Sequence, residues 1–229
     1  MIDKFSLIEK LKENGGQYGY SKTRRHPSVK NSLYTTQGSK DIINLETTAD
    51  QTAKAADFLV GLLKDKKQIL FVGVKPEARE KVRNVAMALS QLYATERFIG
   101  GTLTNFGEIK KRLDKFVDLT SKREKGELDM YTKKERVLFD REIGRMTVSF
   151  GGLLGMTGTP AAIVIVDPKF EHIALTEAQY TRTPVVALAN TDCNIKAIQY
   201  PIVVNEASAG AIGAVLETLA KELQSATLA

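Results

Sequence analysis

One cysteine, two histidines and no tryptophan leave this sequence short of the side chains on which metal and redox chemistry are built. Cys193 has no second cysteine for an internal disulfide, and with only His26 and His172 beside it little ligand chemistry remains. Nowhere does an apolar run approach the ~18 residues that a membrane-spanning helix requires, so no membrane partner is expected. The phosphate-cradling patterns G-x-G-x-x-G and G-x-x-x-x-G-K-[ST] are missing, as is the G-x-S-x-G elbow of a serine hydrolase. The amino terminus, MIDKFSLIEKLKENGG, mixes acids with a helical period and reads as neither signal nor transit peptide. A reduced, cytoplasmic protein is expected.

Acids are missing from one long stretch. Between Glu13 and Asp41 there is none, while Lys22, Arg24, Arg25, Lys30 and Lys40 all fall there. Residues 105–150 also carry a basic surplus, whereas 151–229 hold more acids than bases. The net charge of +6 is therefore concentrated at the front and in the middle of the chain. Such asymmetry is the footprint of a polyanion partner, nucleic acid foremost.

The apolar pattern then sets the elements. Residues 5–13 read as a short amphipathic helix stopped by Asn14-Gly15-Gly16. The segment 17–32 is polar and irregular, and 33–36 with 40–45 form a small hairpin around Gln37-Gly38-Ser39. A helical stripe runs from 46 to about 64. Continuous apolar runs at 68–74, 161–167, 184–189 and 200–204, with a weaker one near 93–98, read as strands separated by helices. Strands apolar throughout and alternating with helices indicate a parallel sheet covered on both faces, a three-layer α/β domain.

Residues 105–150 stand apart from that scheme, without any strand signal. Phe106, Ile109, Leu113 and Phe116 repeat at 3, 4 and 3; Phe139, Ile143, Met146 and Phe150 at 4, 3 and 4. An antiparallel coiled-coil hairpin inserted into the sheet domain is expected, dividing the chain into 1–104 with 151–229, and 105–150. Each arm would be about 20–30 Å long at ~1.5 Å per residue.

Candidate chemistry is sparse. FVGVKPEAR at 71–79 offers one glycine, Lys75 and a helix start after a strand, a thin basis for a nucleotide site. GGLLGMTGTP at 151–160 sets its glycines among apolar residues and reads as the return from hairpin to sheet. Asp167, Glu171, His172 and Glu177 resemble acid–base machinery but do not share a helix face, and dipole stabilisation accounts for acids in a first turn. A nucleotide-binding α/β enzyme using Lys75 and Asp167 is the alternative reading.

The basic segment YSKTRRHPSVKNSLY, 20–34, is the better candidate: Lys22, Arg24, Arg25 and Lys30 for phosphates, among small polar groups suited to neutral contacts. Tyr20, Tyr34 or His26 either stacks on an unpaired base or packs on its own domain. A second candidate is RFIGGTLTNF, 97–106. There Thr104 or Asn105 serves as N-cap, and Gly100 and Gly101 allow positive φ and close approach. Free N–H groups beside Arg97 would welcome an anion. Arg97, Gly100, Gly101, Thr102, Thr104 and Asn105 form a surface suited to an approaching phosphate backbone.

Arg97, Gly100, Gly101, Leu103, Thr104 and Asn105 followed by a charged helical hairpin resemble the uS2 family, the second-named proteins of the small ribosomal subunit. The resemblance extends to ILFVGVKPEA at 69–78, where Val74 stands for the usual threonine. It extends also to Tyr131-Thr132-Lys133-Lys134-Glu135, and to 160–188 with its strand-Asp-x3-Glu-His pattern. Three departures stand out. Gly16-Gln17-Tyr18-Gly19-Tyr20 lacks both histidines of the family's motif, Phe98 replaces a tryptophan, and Asn190-Thr191-Asp192 replaces Asp-Thr-Asn. The resemblance implies a flavodoxin-like sheet with an inserted coiled-coil hairpin. It further implies a structural role on small-subunit ribosomal RNA beside neighbouring ribosomal proteins, including in many bacteria the large OB-repeat protein. It turns the surface of Arg97, Gly100, Gly101, Thr102, Thr104 and Asn105 into an expected RNA contact. It implies no catalysis and no cofactor.

Overall fold

The chain begins, in the computed structural model that describes residues 2–227, with helix α1 (Lys4–Glu13). The Asp3 side chain accepts the Ser6 N–H at its start, and Gly15 at φ +68° turns the chain beyond its end. Strands β1 (Tyr18–Ser21), β2 (Leu33–Gln37) and β3 (Lys40–Ile43) then form an antiparallel sheet in the order β1-β3-β2. The hairpin at 33–45 was expected. The strand β1, in a segment read as polar with no strand signal, was not: its polar, partly exposed residues carry no apolar alternation, and pairing with β3 orders them.

Helix α2 (Leu45–Lys64) starts on the Asn44 side chain, which accepts the Glu46 N–H at 3.0 Å. After it come β4 (Ile69–Val72), α3 (Pro76–Ala88), β5 (Leu92–Ala94), α4 (Phe106–Glu124), α5 (Lys133–Phe150), β6 (Ala162–Val166), α6 (His172–Tyr180), β7 (Val185–Ala189), β8 (Tyr200–Val203) and α7 (Ala209–Thr227). Strand β5 is shorter than the 93–98 run suggested. Beyond Ala94 the chain leaves the sheet edge, and Phe98 is buried in the same cluster as Leu92 and Ala94 without pairing as strand. Helix α3 stops at Ala88 because Ser90 takes φ +52° and Gln91 returns its N–H to Ala86.

The five later strands form one parallel sheet in the order β5-β4-β6-β7-β8. Relabelled from one, that is 2-1-3-4-5, the doubly wound order of flavodoxin-like sheets. Successive side chains alternate between its two faces. Ile69, Phe71, Val164, Val166, Val186 and Leu188 pack with α2, α3 and α7, whereas Leu70, Val72, Ile163, Ile165, Val185 and Ala187 share a cluster with α6. The latter cluster continues without a break into Ile109, Leu113 and Phe116 of α4 and Ile143, Met146 and Phe150 of α5. Helices α4 and α5 pack on each other, with ion pairs Lys115–Glu142 at 2.5 Å and Arg123–Asp140 at 3.7 Å between them. Gly126 at φ +74° lies in the turn between them, and Thr132 with Glu135 forms a capping box at the start of α5. Among the described residues no helix is long and apolar enough to cross a membrane.

Candidate nucleic-acid interface

The basic segment is hydrogen-bonded at the carboxyl ends of the parallel strands. His26 N–H donates to the Thr191 carbonyl at 2.8 Å, and Tyr20 N–H donates to Thr191 Oγ1 at 3.0 Å. Ser28 Oγ accepts from Ile195 N–H at 3.1 Å and donates to the Cys193 carbonyl at 3.4 Å. Residues 18–32 therefore lie against the loop that follows β7.

That docking sorts the predicted cations. Lys22, Arg24 and Lys30 are exposed, and Arg24 sits 5.0 Å above the Tyr20 ring. Arg25 differs: its guanidinium is 3.4 Å from Asp41, a fully buried carboxylate that also accepts Thr36 Oγ1 at 2.8 Å. A buried acid needs that cation, so Arg25 is committed to the fold. The loop after β7 brings in exposed Lys196, and Lys169 lies nearby, bonded to Asp192 at 2.7 Å. Sequence reasoning missed both because they lie more than 130 residues away in a segment with an acidic surplus. Of the three proposed stacking rings, His26 caps the Ser28 N–H and Tyr20 donates its hydroxyl to Glu206 at 3.0 Å. Tyr34 alone of the three stands exposed.

In the glycine loop the expected anion is already present, supplied by the chain itself. The Glu177 carboxylate of α6 accepts the N–H groups of Gly101 at 2.5 Å, Leu103 at 3.0 Å and Thr104 at 3.4 Å. The reading of these amides as free is corrected accordingly. Gly101 takes φ +91°, where a side chain is strained; Gly100 is exposed, and a Cβ there would meet only ordinary contacts. Thr102 is buried, its hydroxyl donating to the Ile99 carbonyl at 2.5 Å. Asn105 occupies the N-cap position of α4, yet neither its side chain nor that of Thr104 makes the capping bond expected of it. Thr104 and Asn105 are exposed instead, as is Arg97, which forms no ion pair among the described residues.

The residues of the enzyme reading are all engaged structurally. Asp167, at φ +60°, accepts the N–H groups of Lys169 and Phe170 through one oxygen and pairs with Lys75 through the other. Glu171 accepts the Val74 N–H at 3.1 Å. Glu206, 2% exposed, stands 3.5 Å from Lys75. Burial alone would lower the Lys75 pKa, but its bond to Asp167 and the charges of Asp167 and Glu206 carry it above the ordinary lysine value. Burial and Glu206 push the Tyr20 hydroxyl up to about 12. Open α/β sheets bind ligands where the strand order reverses. In this chain Lys75 and Asp167 neutralise each other there, close to Tyr20 of the amino-terminal sheet.

Comparison with known proteins agrees with this geometry. Residues 11–226 match the family described as Ribosomal protein S2. The small ribosomal subunit protein uS2 of Roseiflexus sp. (strain RS-1) is 37% identical over 196 residues, which is 86% of this chain and 75% of the relative. That of Chloroflexus aurantiacus (strain ATCC 29366 / DSM 635 / J-10-fl) is 36% identical over 199 residues, covering 87% and 84%. The protein of the same description from Salinispora tropica is 37% identical over 200 residues, covering 87% and 68%. Because the match runs through the basic segment, the glycine loop and all five parallel strands, the chain belongs to the ribosomal protein S2 family.

Proposed function

We propose that this chain is a structural constituent of the small ribosomal subunit, binding its ribosomal RNA and supporting translation without catalysis. Family membership supports the role, and the observation that carries it at residue level is the exposed cluster of Lys22, Arg24 and Lys30 on a backbone pinned to Thr191. A backbone already fixed by its hydrogen bonds need not be ordered on binding, so more of the electrostatic attraction appears as affinity. Lys196 extends this surface, while Arg25 acts through Asp41. Arg97, Gly100, Thr104 and Asn105 form a second contact at the glycine loop; Gly101 and Thr102 shape that loop from within.

In this reading residues 105–150 work as an inserted antiparallel coiled-coil arm on the sheet unit formed by 1–104 and 151–229. Neighbouring small-subunit proteins are partners, with the large OB-repeat protein among them. A protein surface is available in an apolar cavity of 530 Å³ lined by Ile8, Tyr34, Ile42 and Ile43, with Lys12 and Glu46 also contributing. Nothing in the geometry favours the nucleotide-binding enzyme.

Sedimentation of lysate on a gradient tests the proposal: the chain should travel with small subunits. Recovery only at the top of the gradient would overturn it. Binding of the purified chain to small-subunit RNA should weaken as salt is raised. The Lys22→Ala substitution should reduce the slope of log K against log salt by about 0.9 for a duplex-like phosphate contact.

A further inference from the structure

Arg97 stands beside a concavity remote in sequence from the amino-terminal basic segment. It has a volume of 560 Å³ and lies among α3, β5 and the base of the α4–α5 pair. That is within the about 300–1,000 Å³ of pockets that enclose a small ligand. Its lining includes Tyr93, whose ring lies against Gly152, and three apolar side chains left substantially in water: Met87 at 61%, Val148 at 59% and Leu154 at 44% exposure.

Charge at the site is one-sided. Glu96 is held by Arg79 at 3.0 Å and Arg83 at 3.3 Å, and Arg97 follows it with no ion pair among the described residues. Among the lining residues, Arg83 and Arg97 stand against the one carboxylate of Glu96, which leaves a positive charge in excess beside an apolar pocket. A peptide would have to bring an acid and an apolar side chain in register to satisfy both. An unpaired nucleotide carries a phosphate and a flat, stackable ring in one residue, and single-stranded RNA is recognised through such splayed bases on aromatic side chains and arginines.

We propose that this concavity receives one unstacked nucleotide of the small-subunit ribosomal RNA, its base against Met87, Val148 and Leu154 and its phosphate on Arg97. The proposal rests on the RNA-binding reading and deepens it by naming what Arg97 holds.

The test uses assembled small subunits in which the photoreactive residue p-benzoylphenylalanine replaces exposed Met87. Irradiation should join the chain to a single ribosomal RNA position, located by a reverse-transcription stop. That stop should be lost in Val148→Trp, which fills the concavity from an exposed position, and weakened in Arg97→Ala. Co-sedimentation with small subunits confirms that each variant has folded and assembled. Cross-linking to a protein or to a second copy of the chain overturns the proposal, as does no cross-link, or an RNA stop unchanged by Val148→Trp. If the unmodified chain fails to travel with small subunits, the RNA-binding reading itself fails, so the two failures are distinguishable.

Discussion

Glu177 and Gly101 together shape the glycine loop, one by accepting three amides and the other by adopting φ +91°. Glu177→Ala should leave those N–H groups without their carboxylate and destabilise the fold by about 1–3 kcal/mol, read by urea unfolding. Gly101→Ala should cost about 1–2 kcal/mol for forcing a Cβ into the left-handed region. Gly100→Ala is expected to behave differently. Its Cβ would meet Glu177 Oε1 at 3.7 Å, an ordinary contact, so stability should stay within about 0.5 kcal/mol of the parent. If RNA approaches this backbone, the same substitution should weaken binding to small-subunit RNA; unchanged binding would remove Gly100 from the interface.

Among the elements, the docking of the amino-terminal sheet rests on Thr191, which receives N–H groups from both Tyr20 and His26. Thr191→Val keeps the shape but removes the hydroxyl acceptor for the Tyr20 N–H. It should lower RNA affinity without altering the salt slope, because no phosphate contact is lost, in contrast to Lys22→Ala. The return from α5 to the sheet has its own constraint. A Cβ at Gly152 would collide with the Tyr93 backbone oxygen, so the return segment covers the β5 edge closely only because glycine stands there. At the other end of α5, Thr132→Ala removes one half of the capping box. It should cost about 1 kcal/mol in thermal or urea unfolding, with the strands of the parallel sheet unchanged.

On the scale of the whole molecule, the buried charge network gives stability a definite pH dependence. Burial first, and then the Asp167 charge, hold Glu206 above its ordinary value of 4.5; burial likewise raises Glu171, against the Val74 N–H. Such carboxyls bind a proton more tightly folded than unfolded. Their stabilisation is complete below about 4.5 and fades as pH rises through their folded values. The melting temperature should therefore fall more steeply from pH 4.5 toward neutrality in the parent than in Glu206→Gln. Equal slopes would refute the assignment. Lys75 and Tyr20, both raised, carry the same sign into the alkaline range: the Tyr20 contribution fades as pH rises from 10.0 through about 12, and that of Lys75 as pH climbs above 10.5.

Much of the architecture was legible in the residues because burial on both faces writes itself as unbroken apolar runs. β4, β6, β7 and β8, α2, and the seams of α4 and α5 all follow from periodicity in the chain itself. The acid-free stretch from 14 to 40 marked the basic segment, and the glycine loop was visible as a junction. Tertiary structure alone decided the partners of these groups. Glu177 reaches the glycine loop from 76 residues away, Thr191 holds Tyr20 from 171 away, and Arg25 is drawn to Asp41 by strand pairing. Spacing along a chain records which face a residue lies on, because helices and strands have fixed periods. It carries no record of which distant carboxylate will satisfy an amide or a guanidinium, since that depends on how the packed elements meet.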